Sequence, residues 1–558
     1  MRHLILLLIS TLLPLSVCAK NPKFFKKARL AQLTILAYDR NGELKQGQGF
    51  FLNEQSDVIV EYTLLTNAVK VKAVDAAGAE YDLQRIKGAN SLYNIAKLSC
   101  KGPKKPVNMP LLNESLSIGS TVYIMPLNSA DKDAQCLTDT ISKIETFEEG
   151  HNYYTLSNDI DERLAGSPVF TESGELIGSI QLSANQEKKH GYIIASTYAE
   201  KLQITAVDAN KYDIRILPMP KALPQDETQA TTYLYLLNKQ DTVVYRANIQ
   251  DFIEAFPESN TGYIQLAELE ARQGHYAAAE QVYTDGLAKC KTNKDEIHHS
   301  FAKLLYQSGL SNEPIYEGWN LDKALEETNA AYEENPQALY IALQGMILYG
   351  QKNYAEAYNK FVAMGETNMR SADYFLYAAQ CKEMQEAPAE EILAMQDSAI
   401  ACYTKPYPIE VAKCLYLRSK TLTRMNKLRD AVADLNEYEH LLSANVNDNF
   451  YYEREQLEVQ CRMYQQALND IDRAVSINPK EPLYRAEQAV INYRVGQLDD
   501  ALVAAQEAVR LDNTFADAYR IMGICLNDKG KKQEAKDALQ KAIDLGDELA
   551  KGVMEKIK

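Results

Sequence analysis

The C-terminal part of this chain repeats itself with a step of 34 residues, and that period limits the fold more than any other feature. Three successive copies begin at Tyr464, Leu498 and Lys532. Small residues return at the same two places in each copy: Ala467, Ala501 and Ala535, then Ala474, Ala508 and Ala542. A period of this length, with small residues where two helices cross, predicts stacked helix pairs. Such pairs bury a continuous core only between neighbours, so the pattern predicts an all-α array.

The same pattern extends backwards to about residue 225 and resembles the tetratricopeptide repeat family. Pro479 closes one repeat, and earlier copies are marked by residues such as Gly274 and Tyr354. The resemblance implies an all-α solenoid over residues 225–558, with eight or nine helix pairs and a capping helix near 547–557. Terminal capping is expected of a solenoid, because its last repeat has no neighbour.

Two segments depart from the regular repeat. Residues 371–408 fit the pattern poorly, and we expect a degenerate repeat with a long second helix there. Residues 310–318 interrupt the third repeat and are interpreted as an insertion.

The repeat resemblance also implies where partners bind. First helices of the repeats line a concave face, which is the usual docking surface for proteins or peptides in this family. Some members use Lys and Asn at set first-helix positions to clamp a partner's C-terminal carboxylate. Here those positions hold Leu483, Ala486 and Glu487 in one repeat. We therefore expect protein or peptide partners without that clamp.

Residues 30–202 show short strands and turns instead of helical periodicity. Arg40-Asn41-Gly42-Glu43 carries the Asn-Gly signal of a β-hairpin. Further strands are predicted at 33–38, 58–65, 70–74, 96–99, 121–126, 153–157, 167–170, 176–182 and 191–195, and another is predicted to begin at residue 49. Many short strands with turn signals predict an all-β sandwich or barrel. Prolines in 218–224 mark a linker to the helical region.

Four segments of the β region, in order, resemble trypsin-like serine proteases of the DegP/HtrA type. They are Gly47-Gln48-Gly49-Phe50-Phe51, residues 58–68, residues 92–98 and the run from Arg163 through Gly166-Ser167-Pro168 to Gly178. The resemblance implies a chymotrypsin-like double barrel over residues 20–217. It also places Thr63 at the histidine base, Asn94 at the orienting aspartate and Ala165 at the serine nucleophile.

The residues at these positions lack the required chemistry. Attack on a carbonyl needs a hydroxyl, a base that takes its proton and an acid that holds the base. Ala165 has no nucleophile, Thr63 does not exchange a proton at neutral pH, and Asn94 carries no charge. Arg163 also replaces the family's oxyanion-hole glycine, whose backbone freedom it lacks. We therefore predict a pseudoprotease with no catalytic residue.

Two rescues of activity were weighed against this prediction. Ser167 becomes the nucleophile if the register slips by two, but Pro168 then occupies the following glycine position. His151 and His190 are expected to be solvated loop residues, the second in a hairpin turn. Asp159 lies where such proteases shape a specificity pocket, and the favoured interpretation is a surface aspartate.

The N-terminus predicts export. Arg2, an apolar run over residues 4–15 and small residues before Lys20 are typical of a secretory leader, so we expect residues 1–19 to be removed after Ala19. The alternative is a lipoprotein signal that acylates Cys18 and anchors the protein to the outer membrane. No later segment is long and apolar enough for a transmembrane helix. The protease resemblance suggests a bacterial periplasm or cell envelope.

Cysteine spacing and charge exclude several classes of site. The cysteines form no C-x-x-C pair, so we predict no metal site and no cofactor. A disulfide between Cys100 and Cys136 is one pairing that export permits. Of the net charge of −16, residues 225–558 contribute 35 basic and 52 acidic side chains, or −17. This excess disfavours nucleic acid and mildly favours basic or neutral protein partners.

These features lead to one main hypothesis and two alternatives. The chain is expected to be a non-catalytic, exported protein-binding scaffold that combines a pseudoprotease with a repeat solenoid. The first alternative is an envelope serine protease with a non-standard active site. The second is a chaperone-like binder of exported proteins.

Overall fold

The computed structural model describes residues 16–18, 20–103, 105–127, 135–182, 190–237, 241–311 and 315–557. Most of the predicted leader, including Ala19 at the expected cleavage site, lies outside these residues. The chain divides into two compact units, Met1–Thr292 and Asn293–Lys558. No helix within the described ranges has the length and apolar character needed to span a bilayer.

The described part of the first unit begins with thirteen strands. They are β1 (Ser16–Val17), β2 (Gln32–Tyr38), β3 (Leu44–Phe51), β4 (Val58–Val60), β5 (Lys70–Asp75), β6 (Glu80–Asn90), β7 (Ile95–Cys100), β8 (Thr121–Ile124), β9 (Leu137–Phe147), β10 (His151–Asp159), β11 (Pro168–Phe170), β12 (Leu176–Leu182) and β13 (His190–Ala195). Its helices are α1 (Phe25–Ala31), α2 (Tyr62–Leu65), α3 (Ser196–Lys201), α4 (Tyr212–Arg215), α5 (Glu227–Leu237), α6 (Thr242–Ala255), α7 (Asn260–Arg272) and α8 (Tyr276–Lys289).

The strands form two closed antiparallel barrels. The first has the order β2-β3-β4-β7-β6-β5, closed by pairing of β2 with β5. Alternate residues of β2, namely Leu33, Ile35 and Ala37, are buried in its core, as the period of a strand requires. The predicted hairpin is confirmed, since Gly42 takes a positive φ of 82° between β2 and β3.

The second barrel has the order β9-β10-β13-β12-β11-β8, closed by pairing of β8 with β9. The short strand β1 extends it at β9. Cys18, which follows β1, forms a disulfide with Cys136, with a separation of 5.7 Å between the two α-carbons. The pairing of Cys136 with Cys100 that export permits does not form, because Cys136 is bonded to Cys18 and Cys100 is a free thiol.

Several strand predictions differ from the structure. The strand predicted over 58–65 ends at Val60, because residues 62–65 turn into helix α2. Strands β6 and β9 were not predicted. In β6 the register shifts twice, which breaks the period-two pattern from which a strand is recognised. In β9 only Asp139 and Ile141 are buried, so its apolar signal is weak.

The predicted linker packs against the first barrel. The backbone N–H of Ile86 donates to the Pro220 carbonyl at 2.9 Å, and the N–H of Ala222 donates to the Ile86 carbonyl at 2.8 Å. Helices α5 to α7 share a hydrophobic core with this barrel, to which Tyr233 and Phe252 contribute. The division between compact units therefore lies after residue 292, although the change from strands to helices occurs near residue 225.

The second unit consists of helices. They are α9 (Lys294–Gly309), α10 (Leu321–Glu334), α11 (Ala338–Gly350), α12 (Tyr354–Ala363), α13 (Ala372–Met384), α14 (Ala389–Ile400), α15 (Ala412–Arg424), α16 (Leu428–Leu442), α17 (Asp448–Gln460), α18 (Tyr464–Ile477), α19 (Pro482–Arg494), α20 (Leu498–Leu511), α21 (Ala516–Asp528), α22 (Lys532–Asp544) and α23 (Glu548–Met554). Ala467, Ala501 and Ala535 are fully buried, as close helix crossings require.

The helical predictions are largely confirmed. Among the described residues α5 to α22 make nine consecutive pairs, and α23 follows as the expected terminal helix with Asp547 as its N-cap. The long second helix expected in 371–408 is wrong, since α13 and α14 contain 13 and 12 residues. Helix α14 ends at Ile400, and prolines at 406 and 408 disfavour helix at the end of this segment. The fold is thus an all-β double barrel followed by an all-α repeat array.

Candidate functional site

The structure brings two of the three predicted triad positions into direct contact. Thr63 lies in the single-turn helix α2, and its side chain is exposed. Asn94 immediately precedes β7 and adopts a positive φ of 45°. Its Oδ1 accepts a hydrogen bond of 3.0 Å from the backbone N–H of Thr63. The amide therefore bonds to the backbone of residue 63 and makes no bond to its side chain.

Glu61 links these two positions to the third. Asn94 Nδ2 donates to Glu61 Oε1 at 2.9 Å. Burial raises the pKa of Glu61, and the hydrogen bond from Asn94 opposes this in part. A Cβ built on Gly166 would lie 3.5 Å from Glu61 Cγ, so the turn that contains Ala165 approaches Glu61 closely. The three positions therefore meet where the two barrels face each other.

The backbone N–H groups of the turn before Ala165 donate to acceptors within the same turn. Residues 162–164 form a short 3₁₀ helix in which the N–H of Ala165 donates to the Glu162 carbonyl at 3.1 Å. The N–H of Arg163 donates to Asp161 Oδ1 at 2.9 Å, and the Arg163 guanidinium binds the same carboxylate. An oxyanion hole needs such N–H groups directed at a substrate oxygen. Here both of them donate within the turn.

Ser167 is fully buried and bonded to the opposite barrel. Its Oγ donates to Gln48 Oε1 at 2.9 Å, and Gln48 Nε2 donates to the Arg163 carbonyl at 2.5 Å. Gln48 lies on β3 of the first barrel and is itself buried. This arrangement gives the Ser167 hydroxyl an amide acceptor, which has no capacity to remove its proton.

The two histidines of the β region are placed differently from expectation. His151 begins β10, is only 7% exposed, and makes a hydrogen bond of 3.1 Å through Nδ1 to Thr197 Oγ1. Its predicted place in a solvated loop is therefore wrong. His190 begins β13 opposite Asp159, and its Nδ1 lies 3.2 Å from Asp159 Oδ1. Asp159 is thus partnered at a strand end, and neither histidine contacts Ser167 among the described interactions.

Gln48 and Glu61 are the residues of this site that the motif comparison did not single out. Both lie inside segments that resemble the protease family, Gln48 between two glycines and Glu61 two residues before Thr63. A polar residue among apolar strand residues is a signal that could have identified Gln48. Nothing local in the sequence indicates the partner of either side chain.

A second charged region lies on the first helices α17, α19 and α21. Glu455, Glu487 and Asp517 occur one to each of these helices, and each carboxylate interacts electrostatically with the next. Burial raises the pKa of Glu455 to about 8, with a further contribution from Glu487. The pKa of Glu487 is also raised, first by burial and then by Asp517. A row of carboxylates therefore crosses three consecutive repeats.

An arginine cluster anchors one end of this row. Arg454 on α17 is 4% exposed and binds Asp470 through Nε at 2.6 Å and Nη2 at 2.8 Å. Its Nη2 also donates to Glu439 Oε2 at 2.7 Å. Burial raises the pKa of the neighbouring Glu458 to about 8, and Asp470 adds to this effect. Glu458 Oε2 and Glu455 Oε1 are buried without a hydrogen-bond partner.

No protein-family model matches the chain. Two curated proteins named small glutamine-rich tetratricopeptide repeat-containing protein 2 match it locally. The one from Mycosarcoma maydis is 33% identical over 82 residues, which cover 15% of this chain and 23% of that protein. The one from Saccharomyces cerevisiae is 26% identical over 93 residues, or 17% of this chain and 27% of that protein. The chain thus spans about a quarter of the length of these relatives.

Two solved structures are each similar to about a third of the chain. The active form of the Rv3671c protease from M. tuberculosis is 12% identical with a TM-score of 0.28, over 34% of this chain and 92% of that one. YrrB, described as a tetratricopeptide repeat protein with an unusual peptide-binding site, is 21% identical with a TM-score of 0.30, over 35% of this chain and 97% of that one.

Proposed function

We propose that this protein is a non-catalytic binding protein, in which the double barrel has no peptidase activity and the helical repeats dock a protein partner. The observation that carries the proposal is the Ala165 turn. Its nucleophile position holds a methyl group, and the N–H groups of Arg163 and Ala165 donate inside the turn. Both the attacking group and the stabilisation of a tetrahedral intermediate are therefore missing.

The remaining hydroxyls of the site do not replace the missing nucleophile. Ser167 is buried and donates to Gln48, and no described hydrogen bond joins the Thr63 side chain to an imidazole or a carboxylate. Glu61, the only carboxylate placed against these positions by the contacts above, accepts from Asn94. Serine peptidases lose several orders of magnitude in rate when the triad alone is removed. We infer that the barrel pair is retained as a structural or recognition domain.

The partner of the repeats is proposed to present a basic segment. Residues 225–558 contain 52 acidic against 35 basic side chains. Glu487 and Asp517 stand on neighbouring first helices, which form the usual docking face of such arrays. Complementary charge steers association and weakens as salt increases. A Lys- or Arg-containing segment fits this face better than an acidic one.

The proposed location is the bacterial cell envelope, after export. The disulfide between Cys18 and Cys136 supports an oxidising compartment, in which such bonds persist. A cysteine in a disulfide has no free thiol for a lipid, so this bond and acylation of Cys18 are mutually exclusive. Retention of the bond after export requires leader cleavage on the N-terminal side of Cys18 instead of after Ala19.

Affinity capture with the tagged full chain from an envelope extract tests the proposal. We expect one stoichiometric partner, which raised salt releases. The double variant Glu487→Gln/Asp517→Asn should weaken capture about tenfold, because it removes two charges from the first-helix face. Glu333→Gln/Asp544→Asn is the matched control, since it removes two exposed charges from second helices α10 and α22.

Two outcomes would contradict this proposal. Capture of many substoichiometric proteins would favour the chaperone-like alternative. Equal weakening by both double variants would show that net charge, and not the first-helix face, determines binding.

A further inference from the structure

The first helix α17 carries two carboxyl groups inside the packing of the repeats. Glu455 is 0% exposed and Glu458 is 2% exposed. Helix α17 shares a hydrophobic core with α18 and α19, to which Tyr451, Ile471 and Ile491 contribute. Both carboxyls are therefore enclosed between helices instead of facing solvent.

The next two repeats hold small residues at the position of Glu455. With the step of 34 residues, Glu455 corresponds to Ala489 in α19 and to Gly523 in α21. A Cβ built on Gly523 would lie 2.7 Å from Leu539 Cγ, so at this position the first helix approaches the second helix of its repeat closely. In the α17 repeat the same position carries a carboxyl group, which such close packing disfavours.

Neither carboxyl group is fully hydrogen-bonded. Gln456 Nε2 donates to Glu455 Oε2 at 2.7 Å, but Glu455 Oε1 and Glu458 Oε2 have no partner among the described residues. At the position of Glu458 the next two repeats hold Asn492 and Leu526, neither of which carries a charge. An unpaired buried oxygen is costly, and the cost rises steeply when the group is ionised.

The groups around these two carboxyls are mostly acidic. The charged or titratable side chains that act on one or both of them are Glu439 of α16, Tyr452 and Arg454 of α17, Asp470 of α18 and Glu487 of α19. Arg454 is the one cation in this described set, and it binds Asp470 and Glu439. Burial raises the pKa of Glu455 and Glu458 to about 8, so both are mainly protonated at pH 6.

We propose that the α17 repeat is a pH-sensitive joint in the array: ionisation of Glu455 and Glu458 opens the packing of α17 against α18 and α19, while the other repeats stay folded. In a solenoid each repeat contacts only its neighbours, so one weakened repeat opens locally. An ionised carboxylate without a free counter-charge is far less stable in this buried place than a protonated carboxyl. The joint does not depend on the partner proposed for the first-helix face.

Hydrogen exchange of the full chain, followed by mass spectrometry at pH 6 and pH 9, tests the joint. After correction for the intrinsic effect of pH on exchange, protection of the amides in α17 and α18 should fall at least about tenfold at pH 9. The reason is that the opened helix returns each carboxyl to its ordinary pKa of 4.5, so opening is favoured as pH rises towards 8. Protection in α10 to α12, α21 and α22 should change less than about twofold.

Two variants of the buried pair separate the joint from general alkaline unfolding. Glu455→Ala/Glu458→Asn gives α17 the residues that α19 holds at these positions, and Glu455→Gln/Glu458→Gln keeps the size of both side chains. Each should abolish the fall in protection, whereas Glu333→Gln/Asp544→Asn, at exposed positions, should leave it unchanged. Three results would overturn the proposal: no fall in α17 and α18, an equal fall in all helices of the second unit, or an undiminished fall in both variants of the buried pair.

Discussion

Ser167 Oγ donates a hydrogen bond of 2.9 Å to Gln48 Oε1, and this buried contact joins the two barrels beside the Ala165 turn. Gln48→Leu should destabilise the first unit by about 1–3 kcal/mol, because Ser167 and the Arg163 carbonyl both lose a buried partner. Hydrogen exchange in β3 and β11 measures the effect. Gln46→Leu, at an exposed position of the same strand, should leave exchange unchanged, and equal protection in both variants would show that the contact is unimportant.

Introducing the triad side chains should give peptidase activity at least about 100-fold below that of an intact serine peptidase. The variant Thr63→His/Asn94→Asp/Ala165→Ser regains a nucleophile, a base and an orienting acid, but the Arg163 N–H still donates to Asp161. The oxyanion would therefore lack a donor worth about 10²–10³ in rate. Hydrolysis of a quenched casein substrate is the measurement. Activity in the triple variant equal to that of an intact serine peptidase, without a change at Arg163, would show that the turn reorganises freely.

The motifs grouped three distant positions into one candidate site, because each protease-like segment is short and continuous. Thr63, Asn94 and Ala165 could be assigned in this way, and the structure gathers them at one junction. The Gln48–Ser167 contact could not be predicted, since its residues are 119 positions apart and meet only when both barrels close. His151 was misplaced for a related reason, since its burial depends on packing against Tyr198.

In the repeat region, too, the sequence indicated local structure but not the contacts between distant segments. Its period identified the helix pairs, because the small residues at crossings follow from local geometry. The packing of helices α5 to α7 against the first barrel was not predicted. The ion pair between Arg85 and Asp251 joins residues from differently patterned regions, and no periodic signal connects them.

The helices of the second unit should lose stability as pH rises. The folded pKa of Glu458 is about 8, above its ordinary value of 4.5, so folding favours its protonated form. The stability that the protonated Glu458 carboxyl contributes is fully present below pH 4.5 and is lost as pH rises through 8. The pKa of Glu455, which has Glu487 and Gln456 beside it, is raised as well, so this residue should also lower stability as pH rises. Thermal unfolding followed by far-ultraviolet circular dichroism should show a lower midpoint at pH 9 than at pH 6.

Glu458→Gln separates this effect from general alkaline unfolding. The amide has no charge to lose, so the difference in midpoint between the two pH values should shrink. Glu333→Gln removes an exposed carboxylate and should leave the difference unchanged. A midpoint that rises towards pH 9 in the wild type would contradict the assignment of buried protonated carboxyls.

Arg454 should be more important for stability than the surface arginines. Arg454→Met leaves Asp470 buried beside Glu439 without its counter-charge, which costs about 3–5 kcal/mol. Urea unfolding followed by helical circular dichroism should show the loss. Arg510→Gln breaks an exposed pair with Glu507 and should leave the unfolding midpoint unchanged. Equal midpoints for the two variants would show that the Arg454 cluster contributes nothing net.

The disulfide can be counted directly in exported protein. We expect Cys18 and Cys136 to resist alkylation under denaturing conditions until a reductant is added, while seven other cysteines react at once. Cys18→Ser should lower stability by about 2–4 kcal/mol, because the bond closes a long loop. N-terminal sequencing shows whether Cys18 is retained. Nine reactive thiols, or a lipid mass on Cys18, would contradict the pairing.

Fluorophosphonate labelling followed by intact-mass analysis tests the central claim, that the double barrel is not a serine peptidase. The full-length exported protein should carry no phosphonate adduct after prolonged incubation, because Ala165 has no hydroxyl and Ser167 is buried against Gln48. An adduct that maps to Ser167 and disappears in Ser167→Ala would contradict the claim and identify an active peptidase.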